Sequence, residues 1–254
     1  MKIDLYSNMH NEALIIPYWL RHYEPLVDRI FVWDDESTDK TVELLTQCPK
    51  VTILPEKVKG NWDAYWVKEL FPLYEKYSMG KADWVIVADG DEFIYHPSFR
   101  EVMQAELDVG TDVIECTGFA MIANEFPTPN DYPGKQLIEL VKFGLPDGLE
   151  SKWTIHTANK SIRFAKGRHG PVHNRRAFVR NRNTGIKLFH YRYFGDGYYA
   201  NRDIVTIARN ELVFHQGKVY TPDWANTLPD GTHGAALAWF NEHKKEAKNV
   251  VDFE

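Results

Sequence analysis

The sequence predicts an α/β protein with a mostly parallel central sheet, helices on both faces, and a smaller antiparallel and helical C-terminal part. Three observations carry that expectation. Apolar runs alternate with segments of helical spacing from the first residues to Ile122. Two of those runs stop abruptly in acids, at Asp34-Asp35-Glu36 and at Asp89-Gly90-Asp91-Glu92, and the carboxyl ends of strands are where open α/β sheets place their chemistry. From Asn124 to Gly148 the composition turns to Pro, Asn, Asp and Gly, after which short strand-like runs take over.

In order, Ile3 to Ser7 reads as a strand, and Ala13 to Tyr23 as a helix with Asn11 as its N-cap and Pro17 near its first turn. Ile30 to Trp33 is a second strand. Lys40 to Gln47 is a helix capped by Ser37, Thr38 or Asp39 and stopped before Pro49, and Val51 to Leu54 is a third strand. Trp62, Trp66, Leu70, Leu73, Tyr74 and Tyr77 recur near helical spacing up to Gly80. Ala82 to Val87 is a buried strand, Ser98 to Leu107 a helix, and Asp112 to Ile122 a strand. Strand and helix in alternation imply parallel pairing through right-handed crossovers. The long segment after Asn124 holds one short helix, Gln136 to Val141. Trp153 to Phe164, Val172 to Val179 and Ile186 to Tyr193 read as strands, and Tyr198 to Phe214 and Gly234 to Lys248 as helices.

The 254 residues suffice for one large core, and 44% hydrophobic with 26% charged residues is the balance of a soluble globule. A net charge of -6 gives no bulk attraction to nucleic acid. Two cysteines, Cys48 and Cys116, are too few for a disulfide framework and imply reduced thiols in a cytoplasmic setting. The amino end lacks the apolar core of a signal peptide, and no run approaches the length of a membrane span. A cytoplasmic protein, with peripheral contact at the inner membrane surface still open, is the expectation. Aromatic residues are 14% of the chain, many outside the strands, which suits packing and also stacking on a base or sugar ring.

Asp89 and Asp91, separated by one small residue, are the oxygen ligands a hard divalent cation asks for, with positions left over for substrate phosphates. Alternation along an extended chain turns Glu92 away from Asp91. Acids at a strand end also serve simply as turn and cap formers.

Met9-His10-Asn11-Glu12, then Val32-Trp33-Asp34-Asp35-Glu36-Ser37-Thr38-Asp39, then Ala82 to Phe93 with its Asp-Gly-Asp-Glu, stand in an order and spacing that resemble the nucleotide-sugar half of a GT-A glycosyltransferase of the family-two-like group. The resemblance implies a single domain, 1–254, with a nucleotide-sugar-binding half (1–122) and an acceptor-side half with C-terminal helices (123–254). It implies a nucleotide-diphosphate-sugar donor, a UDP-sugar in first place, and Mn or Mg bridging the phosphates. Asp34 or Asp35 would take the base or ribose, with Asn11 and Glu12 framing it. Asp89 would reach ribose or metal, and Asp91 the metal. In the carboxyl half, Lys160 would approach the phosphates and His173 or His190 would add a metal ligand. Arg168, Arg175, Arg176, Arg180 and Arg182 form a basic run that reads as a solvated face.

Transfer to a hydroxyl with inversion needs a carboxylate base. Glu125, at the start of the long segment, and Asp147 or Glu150, at its end, are the candidates, with Glu125 and Glu150 put first. The acceptor is a glycan, lipid-linked or small molecule. A sugar-phosphate nucleotidyltransferase is the alternative enzyme, disfavoured because Ser7 to Glu12 contains no glycine and one acid where a phosphate loop would stand. A non-catalytic nucleotide-sugar-binding module would be expected to have lost one of the two aspartates, and both are present.

Overall fold

Ile3 to Met9 alternates bulky side chains to both sides of an extended backbone and forms β1 (Ile3–Met9), buried along its whole length. The computed structural model describes residues 1–56, 72–148, 151–164, 168, 178–194 and 240–252. β2 (Arg29–Asp34) pairs with one edge of β1 and β4 (Trp84–Val87) with the other, both parallel, and β3 (Val51–Ile53) lies parallel beyond β2. The order β3-β2-β1-β4 is that of a doubly wound sheet, with its switch point between β1 and β4. β8 (Lys152–Thr157) continues the sheet antiparallel to β4. β6 (Val113–Ala123) follows antiparallel to β8, and β9 (Arg180–Asn181) lies parallel to β6. The α/β class and the parallel heart of the sheet are as the sequence predicts.

Helices cover both faces because alternation sends neighbouring side chains to opposite sides. Tyr6, Phe31, Trp33, Val85, Val87 and Trp153 cluster with Tyr74 of the helix α3 (Leu73–Tyr77). Trp84, facing the other way, donates its indole N–H to the Met103 carbonyl of α4 (Phe99–Asp108) at 3.2 Å. The first helix, α1 (Ile16–Tyr23), buries Ile16, Tyr18, Trp19, His22 and Tyr23. It starts later than Ala13, and Pro17 falls in its first turn, where the missing N–H costs no bond. Asn11 is not its cap: it adopts a left-handed φ of 52°, and the Ala13 N–H is taken by Asp39 Oδ2. α2 (Thr41–Leu45) is shorter than Lys40 to Gln47.

Four short strands among the described residues escaped the periodicity reading: β9, just beyond the expected strand from Val172, β11 (Lys248–Asn249), where a helix was expected to reach Lys248, and two more. β5 (Glu92–Tyr95) begins within the acidic motif itself and pairs antiparallel with β10 (Lys187–Phe194), setting His190 opposite Glu92. β7 (Phe143–Pro146) lies in the long segment after α5 (Leu137–Leu140). The run from Trp153 stops as a strand at Thr157 and does not reach Phe164. Most of the helix expected at Trp62 to Tyr77, the strand from Val172, the helix Tyr198 to Phe214 and the start of the helix from Gly234 lie outside the described residues.

The chain divides into two units, Met1–Phe119 with Pro146–His190, and Ala120–Leu145 with Tyr191–Glu254. The second half of the sequence therefore contributes to both, passing between them within β6 and β10. In the second unit β11 (Lys248–Asn249) pairs antiparallel with β7, and Phe126 meets Phe194 edge-on at 4.9 Å. Gly144 is required there, because a Cβ would stand 2.8 Å from the Ala120 carbonyl oxygen. Among the described residues no helix is long and apolar enough to cross a membrane.

Candidate functional site: the carboxyl edge of β1, β2 and β4

Parallel pairing brings three strand ends together. The register sets Met9 beside Asp34, and β4 delivers Ala88-Asp89-Gly90-Asp91 on the other side of β1. The loops after β1 and β2 are tied to each other. The Asp35 N–H donates to Met9 O, and His10 Nδ1 donates to Asp35 O at 2.5 Å. Asn11 Oδ1 accepts from the Thr38 and Asp39 N–H groups, its own N–H reaches Ser37 Oγ, and the Glu12 N–H reaches Thr41 Oγ1. Asn11 thus spends its side-chain oxygen on shaping the loop pair.

Three buried polar atoms at this edge have no partner among the described residues: Ser7 Oγ, Asn8 Oδ1 and Asp34 Oδ1. Asp34 Oδ2 is bonded by the Ser37 N–H at 3.2 Å, which fixes the carboxylate and leaves its other oxygen available. Buried acceptors are ordinarily satisfied by protein, water or a ligand, and Asn8 and Asp34 set two such acceptors on adjacent strand ends.

The acidic motif is a four-residue turn closed by the Glu92 N–H to Asp89 O bond at 3.1 Å. Gly90 carries no positive φ; its bare face is covered by Glu12, whose Cγ would lie 3.4 Å from a Cβ there. The turn sends Asp89 and Asp91 to different partners. Asp91 Oδ2 is 3.2 Å from His190 Nε2, both side chains being more than nine-tenths buried. Asp89, 32% exposed, receives Arg168 Nη1 and Nη2 at 3.3 and 3.1 Å.

Glu92, fully buried, is the hub. Its Oε2 accepts from Arg168 Nη2 at 2.5 Å and from the Asp89 N–H at 3.0 Å, its Oε1 accepts from Lys152 Nζ, and its carbonyl accepts from Tyr23 OH. Burial alone would raise the Glu92 carboxyl, yet the Arg168 and Lys152 charges beside it hold it below the ordinary carboxylate range. Burial would likewise discharge Arg168, and Asp89 and Glu92 instead push its guanidinium up.

Of the residues nominated from sequence, Glu12, Asp34, Asp35, Asp89, Asp91 and His190 gather at this edge or on its loops. Lys160 does not. β8 runs antiparallel to β4, so residues after Thr157 return to the amino end of β4: Ala158 N bonds Asp83 O, and Lys160 Nζ pairs with Asp112 at 2.7 Å. Glu125 is exposed in the second unit, and Glu150 and His173 lie outside the described residues. Arg168 is a correction of the opposite kind, a buried partner of the acids where a solvated face was expected. Lys152 was missed altogether; a lysine opening an apolar strand carries no sign in the sequence of the glutamate it will meet.

A divalent cation fits this donor set. Among the described residues no three His, Cys, Asp or Glu side chains converge on one point, but Mg and Mn are commonly held by one or two protein ligands with substrate phosphates completing the shell. Asp91 and His190 supply such a pair.

Strand order, switch point and acidic turn together make a mixed α/β fold with acids at the carboxyl edge of its parallel strands. No family model and no curated protein matches the chain. Similar solved structures include S. aureus TarS (14% identity, TM-score 0.43, covering 82% of this chain and 39% of that one). Its 1–349 portion in complex with UDP-GlcNAc aligns at 14% identity and TM-score 0.46, covering 96% of this chain and 73% of the other. Glucosyl-3-phosphoglycerate synthase from Mycobacterium tuberculosis, in complex with Mn2+, UDP and phosphoglyceric acid, aligns at 21% identity and TM-score 0.32, covering 47% and 43%. The chain therefore spans well under half of the full TarS structure.

Proposed function

We propose that the protein is a metal-dependent glycosyltransferase that moves a sugar from a nucleoside-diphosphate donor, a UDP-sugar, to an acceptor hydroxyl. The observation that carries the reading is one sheet edge holding both a buried acceptor with no partner among the described residues, Asp34 Oδ1, and an acidic turn with its own counter-charges. Uracil offers a single ring N–H, which in this reading Asp34 Oδ1 accepts, while Asn8 and the loop after β1 frame the base. Asp91 and His190 would hold the cation, and Asp89 would meet ribose or the cation. When bound, the cation neutralises charge on the departing diphosphate. The chain's own work is to orient the donor and keep the turn rigid through Glu92, Lys152 and Arg168. For transfer with inversion the base is a carboxylate, Glu125 or Glu150. A glycan, lipid-linked or small molecule takes the sugar, and the protein acts in the cytoplasm or at the inner membrane surface.

A thermal-shift series of UDP, GDP, CDP and their sugars, with and without Mn2+, tests this. Ligand at a hundred times its dissociation constant adds about 2.7 kcal/mol, so UDP with Mn2+ is expected to raise the midpoint by several degrees. No shift with any nucleoside diphosphate in the presence of metal refutes the reading.

A further inference from the structure

The two aspartates of the turn differ in what already opposes their charge. Asp89 and Glu92 face Arg168 and Lys152, two anions against two cations, all drawn together within hydrogen-bond distance. Asp91 lies on the other branch, 3.2 Å from His190, where it feels the Arg168 charge but does not share its fork. Arg168 is 3% exposed, sits at a left-handed φ of 60°, and grips Asp89 and Glu92 with the same fork. A backbone held in that region by a residue with a Cβ is over-determined by its surroundings. Bidentate pairing also fixes orientation, which a point charge does not.

We propose that Arg168 is a positioning residue: anchored on Glu92, it neutralises and orients Asp89 so that this carboxylate receives a hydroxyl of the nucleotide sugar, leaving the divalent cation to Asp91 and His190. The guanidinium repels a cation from the Asp89 side. Each Asp89 oxygen still has a lone pair to offer after accepting from Arg168, and the third of the side chain that remains exposed is where a hydroxyl reaches it. The inference rests on the nucleotide-sugar reading for the identity of the hydroxyl. Its prediction for the metal stands apart from it.

Mn2+ alone, titrated by electron paramagnetic resonance into the wild type and variants checked for folding by circular dichroism, decides the matter. Arg168→Gln frees Asp89 for the cation and is expected to bind Mn2+ about tenfold more tightly, the scale on which groups supporting a metal ligand act. Arg168→Lys, which keeps the charge, stays at the wild-type affinity, and Asp89→Asn erases the tightening when combined with Arg168→Gln. Unchanged or weakened Mn2+ binding in Arg168→Gln, or tightening that survives Asp89→Asn, overturns the proposal. If Arg168→Gln does not fold, Asp89→Asn alone decides: unchanged Mn2+ affinity supports the assignment, and a loss equal to that of Asp91→Asn overturns it. A wild type that binds Mn2+ but no UDP refutes the glycosyltransferase reading while the metal arm remains readable; a wild type that binds no Mn2+ either alone or together with UDP overturns both.

Discussion

At the scale of single residues, Glu92 carries the most. A fully buried carboxylate is tolerable only because Lys152 and Arg168 both meet it. Removing one partner strands charge in the interior, so Lys152→Met is expected to cost about 3 kcal/mol, measured by urea denaturation. Adding Glu92→Gln to Lys152→Met should recover part of that loss, because the uncompensated charge goes with it. Asp34 is the complementary case: one carboxylate oxygen is held by the Ser37 N–H, and the other is buried with no partner among the described residues. Asp34→Ala should weaken UDP binding by about 1–3 kcal/mol in calorimetry while Mn2+ affinity holds. Equal losses for UDP, GDP and CDP would mean that Asp34 does not touch the base.

At the scale of elements, close approach matters more than propensity. Gly144 in β7 stands where a Cβ would meet Ala120 O at 2.8 Å, Met121 Sδ at 3.0 Å and a Val250 methyl at 3.2 Å. Two of these neighbours are backbone or packed sulfur with little room to yield, so Gly144→Ala is expected to cost about 1–3 kcal/mol by overpacking, seen as a lower denaturation midpoint. At Gly90 the nearest neighbour is the flexible Glu12 side chain, at an ordinary 3.4 Å. Gly90→Ala should therefore fold normally.

At the scale of the whole molecule, buried titratable groups set the response to acid. Burial lowers His22 and His156 from 6.5 to about 4. Their unfolded forms bind protons that the native forms refuse, so the stability they permit is whole above pH 6.5 and falls as the pH drops towards 4. Each costs on the order of 3 kcal/mol by the lower end. Glu92 acts in the same direction at lower pH: its native value is depressed, so its contribution is present above the ordinary carboxylate value of 4.5 and lost below. Urea midpoints should decline steadily from pH 7 to pH 4, and His156→Phe should flatten that decline, at the expense of the bond from Nδ1 to Thr157 O.

What the sequence determined alone was the class and the acidic edge of the sheet. Apolar alternation from Ile3 to Ile122 announces the parallel strands, and acids closing Trp33 and Val87 mark their carboxyl ends, because those signals are local. The tertiary structure alone decided which charges meet. The antiparallel run of β8 carried Lys160 to the far end of the sheet and brought Lys152 under Glu92, and β10 set His190 against Asp91. Arg168 reads in the sequence as one arginine in a basic run. Its burial against Asp89 and Glu92 depends on contacts 79 and 76 residues away, which no local pattern encodes.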